Sequence, residues 1–246
     1  MSPLPFCRTL ITGILLTVCL LGTAWAKVDR ATRYLERSVS LRGPTGWINI
    51  PSASIAESGK LSAGIHNGEA KLNIGLLDML EGGVYFEADR LGARFEPYRD
   101  LSSMDRAKDH LSSFVKEAFT GQAKLKLLDQ DWGFVSLAAG LEDKDYYVVA
   151  QRYFPNLSRV TLLAGWGNGR FEKGFVGLSK TIFSGAEIMF EHDGEGVNIG
   201  LRMLLAPNLI MNLAGKDLTT IGEVENLGEV IGQHLFFGIT YVERVW

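Results

Sequence analysis

The residues best equipped for chemistry lie in "FEHDGEG", Phe190 to Gly196, where Glu191, His192, Asp193 and Glu195 crowd around a glycine turn. Oxygen ligands gathered at such a turn could hold calcium, and a polar hairpin tip explains the same residues. Glu187 and Glu191 project to one face of an extended segment, as a hydrolase's two carboxylates would. Lys71, Lys124, Lys126, Arg152 and Arg202 are expected on polar strand faces too, so ion pairing that offsets the cost of desolvation is the simpler account. The histidines, His66, His110, His192 and His234, show no HExxH or other ligand spacing. No GxSxG elbow and no P-loop is present. The sequence therefore assigns no catalytic residue, no metal and no cofactor, and the chain is read as a protein other than an enzyme.

Those residues follow a leader. Arg8, the apolar run from Leu10 to Gly22 and the small residues of "AWA" read as a secretory signal peptide over 1–26, cut near Ala26. Cys7 and Cys19, the two cysteines of the chain, leave with it, which excludes disulfide and thiol chemistry in the mature protein. The net charge of −3 becomes about −4 without Arg8, which argues against nucleic acid as a partner. Beyond the leader no run of about 20 apolar residues occurs, so no transmembrane helix is expected. A membrane barrel remains open.

The elements that must position the charges are strands. Residues 27–42 form a polar lead-in, expected in the periplasm. From residue 43 the pattern turns to period-two alternation broken by glycine, asparagine and aspartate. In "VNIGLRMLL", Val197, Ile199, Leu201, Met203 and Leu205 oppose Asn198, Gly200 and Arg202. Leu61, Ala63 and Ile65 oppose Ser62, Gly64 and His66, while Leu72, Ile74 and Leu76 oppose Lys71, Asn73 and Gly75. Leu125 and Leu127 oppose Lys124 and Lys126, and Ala186, Ile188 and Phe190 oppose Glu187 and Glu191. Asn67-Gly68, Gly167-Asn168-Gly169 and Asp193-Gly194 supply tight turns. About 12–14 strands fit between Trp47 and Trp246, many near the ~10 residues that cross a bilayer at a tilt. Two segments break the pattern: an amphipathic helix expected over 101–119 in a long loop, and Lys216 to Gln233. Both are expected to face outside.

Alternation alone suits a soluble sandwich as well as a membrane barrel. The polar faces favour the barrel, because Gly64, Gly75, Gly140, Gly177, Gly200 and Gly238 interleave there with charges of both signs, as a crowded, curved interior requires. Trp47, Tyr85, Tyr98, Trp132, Tyr146, Tyr153, Phe154, Trp166, Phe171, Phe183 and Tyr241 are expected at strand ends, as interfacial girdles. The fold expected is all-β, an antiparallel transmembrane β-barrel over 43–246. Lys71, Asn73, Lys124, Lys126, Arg152, Glu187, Glu191, Asn198 and Arg202 are its lumen-facing polar candidates.

"GPTGWINIPSA" from Gly43 resembles the opening motif of the YjbH-like outer-membrane proteins. "AKLKLLDQDWGFVSLAAGLEDKDYYVVAQRYF" and "AEIMFEHDGEGVNIGLRMLLAPNLIMNLAGKDL" resemble two later strand blocks of that family, in the same order. The resemblance implies an outer-membrane barrel with a structural or accessory role in exopolysaccharide or capsule production and export. It implies outer-membrane lipid, the barrel-insertion machinery, exopolysaccharide and export proteins as partners. The alternatives are a secreted β-sandwich that binds glycan and a small-solute channel. The resemblance also implies an insertion signal in the last strand, carried by Phe237, Ile239, Tyr241 and Trp246. Trp246 falls on the wrong parity for the lipid side, and a bulge near Glu243-Arg244 is expected to correct it.

Overall fold

Period-two alternation becomes twelve antiparallel strands in the computed structural model, which describes residues 35, 38–40, 44–67, 69–87, 119–183, 185–219 and 234–246. They are β1 Lys60–His66, β2 Glu69–Leu76, β3 Leu80–Glu87, β4 Phe119–Leu128, β5 Ser136–Glu142 and β6 Asp145–Phe154. The second half comprises β7 Val160–Gly167, β8 Phe175–Phe183, β9 Ala186–His192, β10 Val197–Ala206, β11 Leu209–Gly215 and β12 Leu235–Arg244. Each strand pairs with its neighbours in sequence, and β1 pairs with β12 to close the barrel. No edge is left to recruit another chain. A closed barrel replaces the two-sheet sandwich kept as an alternative.

The faces divide as the alternation demands. Asn198, Gly200 and Arg202 of β10 are buried inside, and Ile199 and Leu205 are exposed outside. The same parity holds in β1, β2, β4 and β9, with Ile65 as much as 68% exposed. The outer surface is an apolar belt. A ten-residue strand such as β6 extends about 33 Å and, tilted near 40°, rises roughly 25 Å, the height of a lipid-facing band. Among the described residues no helix is long and apolar enough to cross a membrane, so a crossing falls to the strands.

β1 begins and β12 ends at one end of the barrel, called here the near end. The connections there run over 77–79, 129–135, 155–159, 184–185 and 207–208. The two longest connections, 88–118 and 216–234, both leave from the far end. An even strand count with the long connections on one side fits the pattern of an outer-membrane barrel. The leader and residues 101–118 of the helix expected over 101–119 lie outside the described residues, while Phe119, its last expected residue, opens β4 instead.

Three expectations are corrected. The first strand does not begin at Trp47: residues 44–58 run inside the barrel, and β1 starts at Lys60. The described residues of the lead-in, Leu35 and Ser38 to Ser40, are buried there as well. The expected bulge is absent, since β12 keeps an unbroken register with β1 from Gly238 to Arg244. Trp246 lies beyond the strand, 60% exposed, with its ring beside Gly59. Phe237, Ile239 and Tyr241 face outward. Of the girdle aromatics, Trp132, Tyr146, Trp166, Phe183 and Tyr241 are exposed, whereas Trp47, Tyr85, Tyr153 and Phe171 are buried.

Candidate functional site: the internal plug

The site is the contact between the barrel wall and residues 44–58, together with Leu35 and Ser38 to Ser40. Proline at 44 and 51 and glycine at 46 bar this stretch from a regular ladder, and it folds on itself instead. Ser40 N–H donates to the Pro44 carbonyl (2.8 Å), Trp47 N–H to Ile50 (3.0 Å) and Ser52 N–H to Thr45 (3.2 Å). Backbone groups left over inside a barrel must find partners. The wall's charged side chains supply them.

Arg202, 0% exposed, donates through Nη1 to the Leu35 carbonyl (3.0 Å) and through Nη2 to those of Gly46 (2.7 Å) and Trp47 (3.1 Å), with Nε held by Asn212 (2.8 Å). Its cross-strand neighbour Glu187 stands 4.0 Å away and accepts from Ser179 Oγ. Lys124 Nζ donates to the carbonyls of Thr45 (2.7 Å) and Ser52 (3.3 Å). Glu81, opposite Lys124 on β3 at 3.9 Å, accepts from Thr45 N–H (2.8 Å), Thr45 Oγ1 and Ala56 N–H (2.8 Å). Lys71 reaches the Ser40 carbonyl at 3.3 Å, and Gln151 accepts from Ala53 N–H at 3.1 Å. Ion pairs across the strands are present, and the shorter contacts go to the plug.

The tip of the plug is held at the far end. Glu191 accepts from the consecutive amides of Ile48 (3.1 Å) and Asn49 (2.6 Å) and from Asn198 Nδ2 (2.9 Å). Asp193 accepts from Asn49 Nδ2 (2.7 Å), Asn198 Nδ2 (3.0 Å) and the amides of Glu195 (3.1 Å) and Gly196 (3.0 Å). Burial pushes its carboxyl up, but these donors outweigh burial and hold its pKa at about 2. Arg170, in the 3-10 turn Gly169–Phe171 between β7 and β8, donates to the Asn49 carbonyl (3.0 Å) and to Glu142. Phe171 tucks inward beside Tyr147 and Phe175, forming one apolar cluster with Trp47, Ile48 and Ile50. Each fully buried side chain of that kind contributes ~1.5–3 kcal/mol.

The inner glycines are the seats of this segment. A Cβ at Gly177 would come within 2.3 Å of the Trp47 ring, and one at Gly200 within 2.8 Å of Ile48. At Gly75 it would meet the carbonyl oxygens of Ala56 and Glu57 at 2.2 Å.

Lys71, Asn73, Lys124, Lys126, Glu187, Glu191, Asn198 and Arg202 all lie on inward positions, with Lys126 near the rim, paired to Asp129 at 2.9 Å. Arg152 is corrected. It alternates with Gln151 and Tyr153, which are the inward residues of β6, and it takes the outward parity, buried between the rings of Phe134 and Phe154, 5.7 and 5.1 Å from their centres. The "FEHDGEG" oxygens are engaged by protein donors or exposed at a hairpin tip, and among the described residues no group of three His, Cys, Asp or Glu side chains could hold a metal ion. Glu81, Glu142, Gln151 and Arg170 escaped sequence reasoning. Glu81 had a signal, an acid on the inward parity directly opposite Lys124.

A closed antiparallel barrel with an apolar outer belt and a polar, filled interior fits an outer-membrane barrel protein. No family model matches the chain, and no curated protein matches its sequence.

Proposed function

We propose that this chain is an outer-membrane β-barrel that its own amino-terminal segment closes along the axis, serving as a structural or accessory component rather than an open conduit. The observation that carries the reading is the Arg202 fork, fully buried at mid-strand and bound to three backbone carbonyls of the plug. A lumen so occupied leaves no path for a polymer. The role in exopolysaccharide or capsule production and export is supported by the YjbH-like resemblance of the three quoted segments. Outer-membrane lipid and the insertion machinery are the partners this reading requires, and no catalytic step enters it.

Membrane fractionation with heat-modifiable gel migration tests the reading. The chain is expected in the outer-membrane fraction, migrating differently before and after boiling; recovery as a soluble periplasmic protein would overturn it. Deletion of the gene is expected to alter surface polysaccharide without altering general permeability. Unchanged polysaccharide would remove the accessory role and leave the barrel.

A further inference from the structure

The two ends of the barrel differ in what their short connections expose. At the near end, Leu77 (80% exposed) and Met79 lie between β2 and β3, Trp132 (86% exposed) and Phe134 between β4 and β5, Leu157 between β6 and β7, and Trp246 beyond β12. At the far end, among the described residues, the short connections expose Asn67, Asp143, Lys144, Glu172, Lys173 and Glu195, while Phe171 turns inward. Large apolar side chains gathered on one rim and missing from the other mark a surface that meets something other than water.

The outer belt runs into this rim, since Leu76 and Leu80, exposed at the near ends of β2 and β3, flank Leu77 and Met79. The strands alone are short. β1, β5, β9 and β11 have seven residues each, which rise about 18 Å at a tilt near 40°, below the ~25 Å of a lipid-facing band. Apolar turn tips at one end extend that height. Charges on the same turns set the depth: Asp78 accepts from Ser58 N–H at 2.7 Å, and Asp131 and Arg159 are exposed. Such groups are tolerated where headgroups begin and are costly in hydrocarbon. Lys180, outward and exposed in the near-end half of β8, reaches the same layer along its own stem. We propose that the near-end rim lies in the headgroup layer of the bilayer, with Leu77, Trp132 and Leu157 seated among the lipids, while the short far-end turns stand in water. This rests on the membrane reading.

The test uses the full chain with Cys7 and Cys19 replaced by serine, refolded into phosphatidylcholine vesicles. An environment-sensitive fluorophore is attached at Leu77→Cys or Leu157→Cys, near the rim, or at Lys144→Cys or Glu195→Cys, at the far end. Heat-modifiable migration of each labelled chain reports that the barrel has folded. The two near-end labels are expected to be quenched by lipids carrying a nitroxide beside the headgroup, and to lose most of their quenching by iodide present on both faces of the membrane. The two far-end labels are expected to do the opposite. Iodide quenching at the near end as strong as at the far end overturns this inference and leaves the barrel intact. Near-end labels shielded from iodide yet untouched by the lipid nitroxide also overturn it, because a protein surface would then cover the rim. A chain that does not insert into the vesicles overturns the membrane reading first.

Discussion

Replacing Arg202 by methionine and Glu187 by glutamine together removes the plug's central anchor without stranding a buried charge, which alone would cost ~3–5 kcal/mol. Three hydrogen bonds to the Leu35, Gly46 and Trp47 carbonyls are lost. Charge-assisted bonds are worth ~1.5–3 kcal/mol each; the lower figure for all three gives about 4.5 kcal/mol, or roughly 10³-fold in the plug-release equilibrium. A cysteine in place of Ser52, buried at 2% exposure inside the plug, reports release by reacting with a charged thiol reagent. Cys7 and Cys19 are replaced by serine so that the probe is unique. The double variant is expected to label about 10³-fold faster than its parent, with heat-modifiable migration unchanged. A labelling rate within about tenfold of the parent in a folded barrel would refute the claim that Arg202 holds the plug.

Gly177→Ala puts a methyl group against the Trp47 ring, and overpacking of about 1–3 kcal/mol is expected to speed labelling of the same probe. Leu201→Arg, at the middle of the outer face of β10, is expected to cost about 2–4 kcal/mol in lipid, read from denaturant unfolding in vesicles; toleration would mean that this face does not meet lipid. The Asp193 carboxyl, held at about 2 against an ordinary value near 3.9, contributes stability that is present above about pH 4 and lost as pH falls toward 2. Labelling near the plug tip, at a cysteine replacing Ile50, is expected to accelerate across that window relative to a free thiol labelled at the same pH, which corrects for the falling thiolate fraction, and Asp193→Asn is expected to abolish that relative acceleration.

Strand parity was legible wherever apolar and polar residues alternate cleanly. Asn198, Gly200 and Arg202 inside β10, and Lys71, Asn73 and Gly75 inside β2, follow from side chains that switch faces every residue. Arg152 was not legible, because "DYYVVAQRYF" is apolar on both faces and only the pairing of β6 with β7 fixes its phase. The plug imitates a strand for a related reason. "WINI" alternates, but its Ile48 and Asn49 amides turn toward Glu191 and its Trp47 carbonyl toward Arg202, contacts between residues more than 140 apart in sequence. Pro44 and Pro51, which cannot donate to a ladder, were the local warning. The inward glycines signalled a crowded interior; what crowds it is a segment of the same chain.

Current across a planar bilayer containing the inserted full chain tests the central claim most directly. The account predicts insertion without a steady conductance, because residues 44–58 occupy the lumen. A steady ohmic current through the unaltered protein would contradict it.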